Sequence, residues 1–152
     1  MDTVRDFEDM LDALSRQKVR YLIIGGLAFI YHAKPRFTKD IELWIEPTAE
    51  NLCAANRALV EFGSPYLMDV NLKESILQLG LPPNRIDLMQ SIEGLAFSEA
   101  WDHRETAPYG DVIANWIDLD NLIRIKERID DPRHQADARD LRTVREIKRG
   151  IT

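Results

Sequence analysis

One stretch constrains this chain more than any other: Tyr21 to Ile45, YLIIGGLAFIYHAKPRFTKDIELWI. Tyr21-Leu22-Ile23-Ile24 is a short apolar run closed by glycine, and it reads as a buried strand. Gly25-Gly26 follows, a pair with no Cβ atoms to keep a bound group off the backbone. Leu27 to His32 then reads as a short helix with the glycines at its N-terminus. Free N–H groups and the positive end of the helix dipole make that point a seat for phosphate. The basic turn Pro35-Arg36-Phe37-Thr38-Lys39 leads into Asp40-Ile41-Glu42-Leu43-Trp44-Ile45, which alternates with period two. As a strand it sets Asp40, Glu42 and Trp44 on one face and Ile41, Leu43 and Ile45 on the other. Two carboxylates on one face beside a phosphate seat point to a metal–nucleotide site.

The spacing suits that chemistry. Alternate residues on a strand have Cα atoms roughly 6.5–7 Å apart, so both side chains lean onto one divalent ion or onto two neighbouring ions. All-oxygen ligation favours Mg²⁺ or Mn²⁺ over zinc, with substrate phosphates and water completing the shell. A third carboxylate on an adjacent strand would hold a second ion and the attacking hydroxyl. Arg85-Ile86-Asp87-Leu88-Met89 reads as such a strand, with Asp87 on its polar face. The plainer role for Asp87 is a structural acid paired with Arg85 or another nearby arginine. Arg36, Thr38 and Lys39 from the basic turn, with Lys126 from a later helix, are the remaining candidate nucleotide contacts. Arg36 and Lys39 read equally well as surface charges, and Lys126 as a lysine snorkelling from an apolar helix.

The rest of the chain fits one compact domain spanning residues 1–152, with a helical C-terminal segment from about 119. Its net charge of −6 argues against a general nucleic-acid binder, though a local basic cleft is compatible with it. Cys53 stands alone, which excludes a disulfide framework and fits a reducing cytoplasm; its place on a helix stripe predicts a buried small hydrophobe. No apolar run approaches membrane-spanning length, so no membrane partner is expected. A first helix is expected to start at an Asp2 or Thr3 cap and to bury Val4, Phe7, Leu11 and Leu14. Pro47-Thr48 and Gly63 bracket a helix from about Ala49 to Phe62. Strands are expected at Ile76–Leu79, Arg85–Met89 and Val112–Ile117, with a helical turn at Ser98–Trp101. Asp118 or Asp120 caps a helix carrying Leu122, Ile123 and Ile129, and Asp131-Pro132 starts the last one. Tyr66 to Ser75 gives no clear signal. His32, His103 and His134 lack metal-ligand spacing. Trp44, Trp101 and Trp116 suit core or cleft wall, Trp44 sharing the face of the acids.

Gly25-Gly26, the thirteen residues 27 to 39, and then Asp40-Ile41-Glu42-Leu43 resemble the signature of the DNA polymerase β-like nucleotidyltransferase superfamily. With Arg85-Ile86-Asp87-Leu88, Leu122-Ile123-Arg124-Ile125-Lys126 and a charged last helix, the chain is more similar to a bacterial branch related to abortive-infection toxin–antitoxin nucleotidyltransferases. That likeness covers roughly residues 19 to 141. It implies an α/β (α+β) nucleotidyltransferase fold, a mixed β-sheet flanked by helices. It also implies metal at Asp40 and Glu42, phosphates at Gly25 and Gly26, and transfer of a nucleoside monophosphate with release of pyrophosphate. Arg133-His134 stands where the branch has Lys-Asp, and Glu42 where many members have a second aspartate.

Three functions are compatible with these features. One is an active enzyme with an NTP donor and an acceptor hydroxyl on a protein, an RNA end or a small molecule. A second is a nucleotide-binding toxin–antitoxin component, with a partner protein and weak or no catalysis. The third, a metal-dependent nuclease, would need a lysine two residues after the glutamate, where this chain has Trp44. Retention of all three acids favours the first.

Overall fold

The computed structural model describes residues 1–150. Arg5–Arg16 forms α1, Tyr21–Ile24 β1, Gly25–His32 α2, Asp40–Ile45 β2 and Ala49–Phe62 α3. Ile76–Leu79 is β3, Arg85–Met89 β4, Phe97–Asp102 α4, Glu105–Tyr109 β5 and Val112–Trp116 β6. Leu119–Arg128 and Pro132–Gly150 are α5 and α6. The six strands make one mixed sheet in the order β3-β4-β2-β1-β6-β5. Among them β1 runs parallel to β6 and antiparallel to β2, and β2 runs parallel to β4. The fold is the mixed, helix-flanked α/β arrangement the sequence led us to expect.

The alternation in β2 divides two cores. Ile41, Leu43 and Ile45 join Tyr21, Ile23, Ile86 and Leu88 beneath α1 and α3. Trp44 joins Leu22, Ile24, Phe29, Leu122, Ile123 and Leu141 on the opposite face, under the remaining helices. Asp40 and Glu42 share that second face but lie nearer the start of β2, where the helical cover gives way to a cavity. Trp44 is thus core rather than cleft wall: it is 1% exposed, and its indole N–H donates to the Gln90 carbonyl.

Local signals explain the helix ends. Thr48 caps α3 through the Asn51 N–H, and Gly63 closes it in a left-handed conformation at φ +95°. Asp118 caps α5 in the same manner. The first helix departs from expectation: Val4 is its N-cap, with no side-chain cap, and the Val4 N–H donates instead to the Tyr109 hydroxyl at 2.8 Å. A tertiary partner has taken over what Asp2 or Thr3 would have done. Cys53 is exposed, on the outer side of α3, because Asn51, Leu52, Ala54 and Ala55 turn inward around it. Ile129 falls just past α5 and is exposed. Strand β5 was not expected; it pairs only with β6 and contains Pro108, which an edge strand tolerates.

Candidate functional site

The parallel pairing of β2 with β4 sets the geometry of the acids. Asp40 lies opposite Arg85, and Glu42 lies opposite Asp87. Four charged side chains therefore share one face over two rungs of the sheet. Arg85 is the cation among them. Its Nε donates to Asp87 Oδ1 at 3.0 Å, and its Nη2 reaches Asp87 Oδ2 at 3.1 Å and Asp40 Oδ2 at 2.7 Å. Asp87 is 5% exposed, and burial raises its carboxyl above the usual range although Arg85 opposes this. The Glu42 carboxyl is also raised, chiefly by burial and then by the charge of Asp40.

The two glycines prove to do different things. Gly25 has φ +69°, and a Cβ there would lie 1.8 Å from Glu42 Oε2. Its missing side chain is the space the Glu42 carboxylate occupies. Gly26, the next residue of α2, lines the adjoining cavity, and a Cβ on it would come within 2.9 Å of Thr38 Oγ1.

That cavity, of about 300 Å³, lies between the start of β2, the 36–39 turn and the junction of α5 with α6. Asp40, Glu42, Asp131 and Asp137 supply its acids, and Arg36, Lys39, Lys126 and Arg133 its cations. Lys126 is 3% exposed, so it is a buried cation of the cavity and not a snorkelling surface lysine. Its Nζ donates to Asp137 Oδ2 at 3.0 Å and to His134 Nδ1 at 3.2 Å. Arg36 grips the same carboxylate with both nitrogens, at 2.5 and 3.0 Å, and lies 4.1 Å over the Phe29 ring. Burial tends to raise the Asp137 carboxyl, but hydrogen bonds from Arg36 and Lys126 outweigh it and hold it below the usual range. Burial, then the charge of Lys126, lowers His134, which leaves Nδ1 free to accept. Sequence reasoning missed Asp137 as the hub of these cations. The only available signal was its place in the charged last helix, beside the altered Arg133-His134 pair. Lys39 is exposed, and Thr38 donates to the Asp40 carbonyl at 3.3 Å.

The donors fit a hard divalent ion in kind: the carboxylates of Asp40 and Glu42 line a polar cavity that also carries four Lys and Arg side chains. Among the described residues no group of three or more His, Cys, Asp or Glu side chains is arranged as a metal site. Arg85 engages both carboxylate oxygens of Asp87 and one of Asp40. His32 is no ligand either; it is buried and hydrogen-bonds the Ile117 carbonyl at 2.6 Å, tying α2 to the end of β6.

No protein-family model matches the chain, and no curated protein does. Solved structures do. One is the lincosamide antibiotic adenylyltransferase LnuA, lincomycin-bound, with a TM-score of 0.62 at 16% identity over 95% of this chain and 99% of that one. Another is ANT(2")-Ia in complex with adenylyl-2"-tobramycin, with a TM-score of 0.59 at 14% identity over 94% and 89%. At such identities the likeness is one of fold: the chain shares the fold of these two proteins.

Proposed function

We propose that this protein is a divalent-metal nucleotidyltransferase that moves a nucleoside monophosphate from an NTP to a hydroxyl acceptor. The observation that carries this reading is the register of β2 against β4. It sets Asp40, Glu42 and Asp87 on one face, and Asp40 and Glu42 also line a cavity walled by Gly26, Arg36, Lys39 and Lys126. Asp40 and Glu42 would hold Mg²⁺ or Mn²⁺, which when bound neutralises charge on the phosphates. The N-terminus of α2 at Gly25-Gly26 and the side chains of Arg36, Thr38, Lys39 and Lys126 receive the triphosphate. Asp137 keeps two of those cations in place. The acceptor oxygen forms a bond to the α-phosphorus, the bond to the β-phosphate oxygen breaks, and pyrophosphate leaves. The hydroxyl proton passes to Asp87, whose burial raises its affinity for a proton.

The likeness to a lincomycin-bound enzyme and to one holding adenylyl-tobramycin supports ATP as donor and a small-molecule hydroxyl as acceptor. A protein or an RNA end is the other acceptor class to be tested. A second reading draws on Arg85, which already neutralises Asp40 and Asp87. In it the chain is a nucleotide-binding toxin–antitoxin component with weak or no catalysis. Incubation with each α-labelled NTP, Mg²⁺ and a lysate tests both, the cytoplasm being the expected place of action. Label on an acceptor, lost in Asp40→Asn, supports transfer. Nucleotide binding without any labelled product selects the second reading, and absence of both refutes the proposal.

A further inference from the structure

We infer that the Arg85 guanidinium is the second cation of this site, so that the chain takes one divalent ion where three carboxylates could serve two. This rests on the nucleotidyltransferase reading and sharpens it.

Three carboxylates over two rungs of a sheet repel one another and need positive charge whether or not a metal is present. The sequence provides it on the same face. Arg85 reaches along its own strand to both oxygens of Asp87 and across the ladder to Asp40 Oδ2. A planar fork that stays protonated at any working pH is a permanent, directional cation. It engages both oxygens of Asp87 and one oxygen of Asp40, leaving each a further lone pair. Asp40 Oδ1 and the Glu42 carboxylate remain; both residues line the cavity, and Gly25 leaves the space in which the Glu42 carboxylate lies. Those donors suit a single hard ion that shares the phosphates of the NTP. The guanidinium lies between Asp40 and Asp87, in contact with both. Arg85 is therefore a positioning residue: it fixes the orientation of Asp40 and Asp87 without a second metal.

The test is a count of bound Mn²⁺ by electron paramagnetic resonance, with a non-hydrolysable ATP analogue at saturation. The variants are Arg85→Gln and Arg85→Lys, each checked for folding by thermal unfolding. The inference requires one Mn²⁺ per wild-type chain, two per Arg85→Gln chain, and one again in Arg85→Lys, where a cation is restored. Two ions in the wild-type protein overturn it whatever the variants do. One ion in both wild type and Arg85→Gln also overturns it, because Arg85 is then not what excludes the second. If Arg85→Gln does not fold, the wild-type count decides, with Arg85→Lys required to match it at one ion. No Mn²⁺ bound in any protein overturns the metal reading beneath the inference as well, which is a different result from two.

Discussion

Replacing Gly25 by alanine tests whether Glu42 is built into the fold or merely placed near it. The substitution adds one methyl group with two separate costs. At φ +69° an L-residue with a side chain is disfavoured by about 1–2 kcal/mol. The new Cβ would also overlap Glu42, lying 1.8 Å from Oε2, 2.6 Å from Cδ and 3.3 Å from Cβ. The Glu42 carboxylate would have to leave the place it occupies; crowding of this kind costs about 1–3 kcal/mol. Together these give roughly 2–5 kcal/mol, and at about 2–4 °C per kcal/mol the melting temperature should fall by roughly 4–20 °C. A double-mutant cycle with Glu42→Ala separates the terms, since that change removes all the close contacts except the one at 3.3 Å. The cycle should show a coupling of about 1–3 kcal/mol, with the double variant recovering the crowding cost and keeping the backbone cost. Thermal and denaturant unfolding of the four proteins provide the numbers. An unchanged melting temperature in Gly25→Ala, or strictly additive losses, would refute the claim that this glycine exists to accommodate Glu42.

Gly26→Val should weaken binding of a non-hydrolysable NTP by about tenfold or more, equivalent to about 1.4 kcal/mol, with a smaller effect on folding; calorimetric titration checks it. Asp87→Asn should keep NTP affinity within a few-fold and cut transfer by roughly 10² or more, as expected for loss of a proton acceptor, read from single-turnover rates. Asp137→Leu strands Lys126 in a buried position and should cost about 3–5 kcal/mol, much of it recovered by adding Lys126→Met, both read from denaturant midpoints. Glu42 should make stability pH-dependent. Its carboxyl sits above the ordinary 4.5, raised first by burial and then by Asp40, so the folded state holds the proton more tightly than the unfolded chain. That stabilisation is complete below the ordinary value and lost as pH rises through the raised one. The melting temperature of the non-titrating Glu42→Gln, minus that of the wild type, should therefore grow from acid toward neutral pH; a flat difference would contradict it.

The sequence was most legible where one element's own periodicity decided the outcome. The apolar run of β1, the glycine pair and the alternation of β2 each speak for themselves over a few residues, and β2 correctly divided the two cores. Asp118 and Thr48 were legible as caps because their partners lie three residues on. What stayed hidden depends on register or on distant packing. That Arg85 reaches Asp40 follows only from the parallel pairing of β2 with β4, which no local pattern encodes. Asp137 looked like one charge among many on α6 until folding brought it to Lys126 and Arg36. The α1 cap was misread because Tyr109, far along the chain, supplies the acceptor. Gly25 and Gly26 looked equivalent in sequence, and only Glu42 beneath the first tells them apart.

The central claim is that the bond broken lies between the α- and β-phosphates and that the nucleotide, not a phosphate, is passed on. Parallel reactions with α-labelled and γ-labelled ATP, Mg²⁺ and a hydroxyl acceptor test it most directly. The account predicts α-label covalently on the acceptor, matched mole for mole by γ-label in pyrophosphate, and neither product from Asp40→Asn. Label from the γ-position on the acceptor, or release of orthophosphate in place of pyrophosphate, would contradict it.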